Sequence, residues 1–322
     1  DRLIVNGTPA QDTIDYQPSS PESLPNPNQV FIGGLPRVDF LTMESLVING
    51  QGGDDALTVT SPTGPEEITF TPGAAADAGR VDLRTLNTTS LVPLEYKDIG
   101  ALGSLRFVNE GGLRDDALLV NGTDVDDEFF VNSGGQLQIL KPNVGYSLYT
   151  TVLINTPGID SLGLRGLDGD DIFHVPGDHP FPVQLAVEGG NPSASDVLEF
   201  TSSGGDVTVD LAAQTVTEDL NDPVAYTGIE TLNVDLDEAN LDVDGTPVDE
   251  DVTVTVFDED KPDHYRVGAV AETRSFAVTG QSGDSTAPFS VGALRGMGGG
   301  ELLSHDRTYF FDDDVAQPFG GK

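Results

Sequence analysis

Apolar and polar residues alternate along most of this chain in runs of four to six positions, and glycine, proline, asparagine or aspartate breaks the runs at short intervals. Leu137-Gln138-Ile139, Val207-Thr208-Val209 and Val252-Thr253-Val254-Thr255-Val256 are examples. Alternation with a period of two places every second side chain on one face of an extended strand. No window carries the 3.6-residue apolar stripe of an amphipathic helix. The pattern therefore predicts an all-β chain of many short strands joined by tight turns.

Comparing the runs with one another reveals longer-range order. Leu3-Ile4-Val5-Asn6-Gly7-Thr8 returns as Leu118-Leu119-Val120-Asn121-Gly122-Thr123, and again as Leu241-Asp242-Val243-Asp244-Gly245-Thr246, at offsets of 115 and 123 residues. Each copy is followed at the same distance by an acid (Asp12, Asp127, Glu250) and then by an apolar strand. A second motif, from Ser45 through Gly50 to Asp54 and Asp55, is echoed from Ser161 through Gly166 to Asp170 and Asp171, with a fainter third copy from Ser275 to Asp284. Val81-Asp82-Leu83 pairs with Val209-Asp210-Leu211, and Pro93 to Ile99 with Pro223 to Ile229. Separate motifs recurring in one order define a repeat of about 115 to 130 residues. They divide the chain into residues 1–116, 117–240 and an incomplete third unit, 241–322, that ends in a glycine-rich tail.

Two architectures accommodate such a period. A right-handed parallel β-helix or β-solenoid would stack several coils in each repeat, whereas tandem β-sandwich domains would use each repeat as one domain of seven or more strands. The short Gly-Asp turns between similar strands favour the solenoid, in which Leu, Val and Ile of successive coils form ladders. Residues 18–28, with four prolines, predict an exposed loop, because proline does not fit a central strand.

Charge narrows the partners. Asp and Glu number 54 against 15 Lys and Arg, for a formal net charge of −39. Nucleic acid is excluded as a partner, since phosphate binding needs a basic face. Asp outnumbers Glu 38 to 16, which suits turns and oxygen-rich cation loops better than helices. Self-repulsion of this size calls for high salt or divalent cations. With no cysteine in the chain, disulfides and thiolate metal sites are impossible. No stretch reaches the roughly 18 apolar residues of a membrane-spanning helix. The opening at Asp1, directly in a repeat motif, suggests a piece of something longer.

The loops at 50–55 and 166–171 share the form Gly-x-x-Gly-Asp-Asp before a strand. Glycine permits a tight turn, and paired aspartates offer hard oxygen ligands. Gly52-Gly53-Asp54-Asp55-Ala56-Leu57 and Asp168-Gly169-Asp170-Asp171-Ile172-Phe173 resemble the hemolysin-type calcium-binding repeats of large bacterial surface proteins. That resemblance implies calcium as a cofactor, with Asp54, Asp55, Asp168, Asp170 and Asp171 as ligands. In that family the nonapeptides are contiguous, whereas here the loops lie tens of residues apart. Asp124, Asp126 and Asp127 form a third cluster, spaced like the start of an EF-hand loop but without its downstream Glu or flanking helices, so a turn competes with an ion site there.

Catalytic signatures are sparse. The four histidines show no zinc spacing, and no nucleophile elbow or phosphate-binding glycine loop occurs. His174, between Phe173 and Val175, reads as an outward-facing strand residue. Asn6-Gly7-Thr8, Asn87-Thr88-Thr89 and Asn121-Gly122-Thr123 match the glycosylation sequon, but Asn-Gly is equally a turn signal. The expectation is a non-enzymatic structural or adhesive repeat protein, secreted or displayed on a cell surface and stabilised by calcium or salt. Its expected partners are its own copies, cell surfaces or glycans. The alternative is a polysaccharide-acting enzyme on a parallel β-helix, whose acid-base work would need a unique pair of carboxylates.

Overall fold

The computed structural model describes residues 1–19, 26–85, 89–109, 116–142, 148–191, 195–236 and 240–244, and the backbone of four later strands. The first repeat holds β1 (Arg2–Asn6), β2 (Thr13–Gln17), β3 (Asn28–Ile32), β4 (Val38–Phe40), β5 (Ser45–Asn49), β6 (Ala56–Ser61), β7 (Glu66–Pro72), β8 (Gly79–Thr85), β9 (Leu94–Lys97) and β10 (Ser104–Asn109). The second begins with β11 (Ala117–Asn121), β12 (Glu128–Val131), β13 (Gln136–Pro142), β14 (Leu148–Thr150), β15 (Leu153–Asn155), β16 (Ser161–Asp168) and β17 (Ile172–Pro176). It continues with β18 (Gln184–Asn191), β19 (Val197–Thr201), β20 (Val207–Asp210), β21 (Thr215–Glu218), β22 (Val224–Thr227) and β23 (Thr231–Asp235). The third supplies β24 (Leu241–Asp244), β25 (Val254–Val256), β26 (His264–Gly268) and the small pair β27 (Phe289–Ser290) and β28 (Thr308–Tyr309).

The protein is all-β. Its strands form two large mixed sheets, one of 12 strands in the order β1-β5-β9-β8-β7-β11-β16-β18-β22-β21-β20-β24, and one of 14 strands. The larger sheet runs β25-β26-β23-β19-β17-β12-β13-β15-β10-β6-β2-β3-β4, with β14 beside β13. The chain passes from one sheet to the other and back, so that consecutive passes lie side by side and parallel, as in β11 with β16 and β16 with β18. Antiparallel runs interrupt this stacking: β2-β3-β4, β7-β8-β9, β12-β13-β15, β20-β21-β22 and, at the far edge of the larger sheet, β23-β26-β25. Parallel passes are thus present as expected of stacked coils, but the sheets are mixed rather than purely parallel. Both sheets also continue across residue 116, through β7 with β11 and β10 with β15, which separately closed sandwich domains would not do.

Sequence alternation explains the packing. Inward positions form ladders, for instance Ile68, Leu118, Leu162, Leu185 and Val224 in register across five strands. All five are within 2 % of complete burial or better. In the other sheet Phe129 stacks on Phe173, with ring centroids 4.7 Å apart. Side chains of both sheets join a single hydrophobic core. Each fully buried Leu or Phe stabilises the fold by about 2 kcal/mol, so the ladder supplies the adhesion between passes. His174 lies on the outer face as its alternation predicts, stacked on Phe130 and bonded to Glu128 at 2.7 Å. Residues 20–25 of the proline-rich stretch, the third Gly-Asp copy, Glu250 and most of the acidic run 235–263 lie outside the described residues.

Candidate functional site

The Gly-Asp motifs fall at the corners where the chain leaves the 12-stranded sheet and enters the other. Each places one aspartate inside. Asp12, Asp55, Asp127, Asp171 and Asp196 are at most 7 % exposed. The reason is register: each sits two residues before the first inward side chain of its strand, so it shares that strand's core-facing side.

Inside the corner the carboxylates link one pass to the next. The Asp127 peptide N–H donates to Asp171 Oδ1 at 2.7 Å, the Asp171 N–H to Asp196 Oδ1 at 2.9 Å, and the Asp196 N–H to Glu230 Oε2 at 2.9 Å. In the first repeat the Asp12 N–H donates to Asp55 Oδ1 at 2.8 Å. The leading member of each run is held by its own turn: Thr8 Oγ1 donates to Asp12 Oδ2 at 3.0 Å, and Thr123 Oγ1 to Asp127 Oδ2 at 2.8 Å. At these two places the Asn-Gly-Thr segments are corner pieces, with the threonine hydroxyl engaged internally.

A glycine column runs beside the carboxylates. A Cβ on Gly122 would stand 2.7 Å from both Asp127 Oδ2 and the Gly166 carbonyl oxygen, and one on Gly7 would stand 2.9 Å from Asp12 Oδ2 and the Gly50 carbonyl. Gly50, Gly166 and Gly189 are hemmed in the same way by Asp55, Asp171 and Asp196. Passes approach so closely here that only glycine fits.

The electrostatics are unusual. Asp55 Oδ2, Asp127 Oδ1, Asp171 Oδ2 and Asp196 Oδ2 are buried without a hydrogen-bond partner. Burial raises all four groups above the ordinary carboxylate range, and Asp171, facing Asp127, Asp196 and Asp126, is pushed up to about 7. A second acid pair lies where β6 turns into β7. Asp116 accepts the Ser61 hydroxyl at 2.6 Å and the Glu66 N–H at 3.0 Å, while Glu66, desolvated and beside Asp116, rises to about 8.

The other predicted ligands lie outside. Asp124, Asp126, Asp168 and Asp170 are exposed and Asp54 is half-buried. Asp126 Oδ1 accepts the Asp170 N–H at 3.0 Å, and Asp54 Oδ1 the Leu102 N–H at 3.0 Å. The eight aspartates therefore separate into an inner set (Asp55, Asp127, Asp171) and an outer set (Asp54, Asp124, Asp126, Asp168, Asp170). Among the described residues no three His, Cys, Asp or Glu side chains converge as a metal-holding group. Sequence reasoning passed over Asp196, Glu66, Asp116 and Glu218. The parity of an acid with the core positions of the next strand would have found the first three.

A surface groove of about 460 Å³ is lined by Arg106, Asn109, Thr156, Asp160, Pro180 and Pro182 among others. Among the described residues Asp160 is the one carboxylate on its wall. No helix among the described residues is long and apolar enough to cross a membrane. Comparison with known protein families, curated proteins and solved structures finds no match.

Proposed function

We propose that the chain is an extracellular structural or adhesive repeat protein, of the kind that builds a surface layer, stalk or filament, and that cations quiet its acidic exterior. The observation that carries this reading is the use made of the repeated motif. In both repeats the glycine and aspartate of the corner hold one pass of the chain to the next, so the feature that recurs in the sequence is the framework itself. Repetition of framework makes length and a multivalent surface, whereas a catalytic site needs one special place. Twelve strands at about 4.8 Å each give a sheet roughly 50 Å long.

The outer aspartates present solvated carboxylates on neighbouring passes, and calcium or molar salt would screen them. Thermal melting with calcium, with chelator and across salt concentrations tests this part. A melting temperature raised by millimolar calcium at constant ionic strength supports specific binding; one that follows ionic strength alone leaves screening and removes calcium. The enzymatic alternative would use the groove beside Arg106, where Asp160 is the one carboxylate among the described residues and a glycosidase needs a pair. Incubation with acidic and neutral cell-wall polysaccharides separates the two: retention without release of fragments supports the structural reading, and turnover defeats it.

A further inference from the structure

We propose that the groove beside Arg106 is a glycan-binding site that takes a uronate residue set among neutral sugars. This rests on the structural or adhesive reading above and deepens it by naming the site and the chemical class it holds.

Two side chains of the groove carry charge without a partner. Arg2, Arg37, Arg80, Arg84 and Arg165 each hold a carboxylate. Arg106 forms no ion pair or side-chain hydrogen bond among the described residues, although the chain carries a net charge of −39. Asp160 is only 4 % exposed, yet its carboxylate likewise has no hydrogen-bond or ionic partner among them. Both groups line the same groove, and no ion pair joins them. A carboxylate so far removed from water is costly unless donors reach it, and the groove is the side from which they can come.

The fold sets both groups in place. Arg106 points outward between the buried Leu105 and Phe107 of β10. Its neighbours in register, Thr58 on β6 and Asn155 on β15, carry no charge that could neutralise it. Asp160 is fixed through its backbone: its N–H donates to the Asp116 carbonyl at 3.0 Å, and its own carbonyl accepts the Val183 N–H at 3.1 Å. Pro157, Pro180 and Pro182 supply apolar walls of fixed backbone. The Thr156 hydroxyl is engaged by the Gly135 carbonyl at 2.6 Å. A site held this way loses little freedom when it binds.

These features ask for a ligand with three parts: an anion for the guanidinium, hydroxyl donors for the carboxylate, and a C–H face for the prolines. A pyranose uronate has all three. Its carboxylate engages Arg106 through two parallel N–H···O bonds, its hydroxyls donate to Asp160, and its ring carbons pack on proline. The groove volume of about 460 Å³ lies within the range of small-ligand clefts, roughly 300–1,000 Å³. A net charge of −39 repels densely charged polyanions. A polysaccharide with isolated uronates among neutral sugars is therefore selected over a fully sulfated or fully uronic one.

The experiment titrates the full chain with methyl glucuronide and with methyl glucoside, which differ only in a carboxylate for a hydroxymethyl group, and follows binding by saturation-transfer NMR. The glucuronide is expected to bind about tenfold more tightly. Arg106→Gln, a change on an exposed strand face, should abolish that preference and leave the melting temperature unchanged, and Arg106→Lys should restore only part of it. Asp160→Asn should weaken both sugars, since it acts on the hydroxyls they share; should it unfold, the Arg106 variants still decide. Equal binding of the two sugars, binding of neither, or a preference that Arg106→Gln retains overturns the proposal. Tighter binding of a sulfated methyl glucoside, or of N-acetylalanine as a stand-in for peptide C-termini, overturns it as well. A chain still retained by cell-wall glycan when the groove fails leaves the adhesive reading intact. Release of methanol from the glucuronide, lost in Arg106→Gln, sinks that reading and leaves the site standing.

Discussion

Asp170 and Asp171 are neighbours in sequence and opposites in circumstance. Asp171 is fully buried, accepts one peptide N–H and keeps one oxygen without a partner, while Asp170 stands in solvent on the outside of the same corner. Asp54, half-buried, and Asp55, fully buried, show the contrast more weakly in the first unit. Parity decides it: Asp55 and Asp171 share the core-facing side of the strand that follows, and the preceding residue must point the other way. The doubled aspartate is thus one framework residue and one surface residue, and the two answer differently to substitution.

The sharpest break comes from the glycine that makes room for the inner carboxylate. Gly166→Ala drives a methyl group into the Asp171 carboxylate and the Gly189 carbonyl oxygen. Overpacking in a place that cannot relax should lower stability by about 3 kcal/mol in a denaturant titration. Gly52→Ala is the comparison, because nothing lies within 4 Å of its missing Cβ and only its left-handed backbone, at φ +82°, is strained. About 1 kcal/mol is expected there. Equal losses at the two sites would end the idea of a close-packed glycine column.

Removing the carboxylates themselves should give the next largest difference. Asp171→Ala leaves the Asp127 N–H buried without an acceptor and should cost about 2 kcal/mol. Asp170→Ala should stay within about 0.5 kcal/mol, as exposed substitutions do. Comparable melting curves for the two would show that the inner and outer sets are not distinct.

Dependence on pH sharpens the same contrast. Asp171 rises from its usual 3.8 to about 7, and Glu66 from 4.5 to about 8, both chiefly through burial. A raised folded-state value means that the folded chain holds protons the unfolded chain has lost; the stability so gained is complete below about pH 4 and disappears as pH climbs through 7 and 8. His179, kept by burial below its usual 6.5, works in the opposite sense but only in the more acidic range. In molar salt the melting temperature should therefore fall by several degrees between about pH 6 and about pH 8 and level off above, once both groups are ionised in the folded chain as well. Asp171→Asn, which keeps an acceptor for Asp127 and cannot ionise, should flatten that fall. A flat profile in the parent chain, or an unchanged slope in the variant, would refute the assignment.

Much of this framework is legible in the sequence. Alternation gives the strands, and the recurrence of Leu3 to Thr8 at Leu118 to Thr123 corresponds to β1 and β11 holding equivalent places before equivalent meanders. The meanders themselves are hidden, because Val207-Thr208-Val209 and Val216 present the same alternation whether the next strand runs parallel or turns back. Only tertiary pairing distinguishes the two. The corner aspartates were visible as a motif, but their role was not: Gly-x-x-Gly-Asp-Asp has the composition of a cation loop and of a packed corner alike. Asp196 was missed because its glycine, Gly189, lies seven residues away rather than five.

Glu218 supplies the counterexample that isolates the cause of the raised values. It is as buried as Glu66, both at 2 % exposure. Burial alone would raise it too, yet its Oε1 accepts the Gly205 N–H at 2.7 Å, the Ser203 hydroxyl and N–H at 2.8 Å each, and the Ser202 hydroxyl at 2.9 Å. Those donors together hold its pKa below the usual 4.5. Stability drawn from a depressed carboxylate is present above that value and is lost as pH falls through the folded-state pKa. Glu218→Gln keeps the acceptor oxygen and removes the charge, so it should cost about 1 kcal/mol at neutral pH and nothing in strong acid. Asp171→Asn should instead gain on the parent chain as the pH rises to about 7 and keep that gain above it. If both variants lost stability over the same pH range, burial rather than the number of donors would govern the charge of these carboxylates.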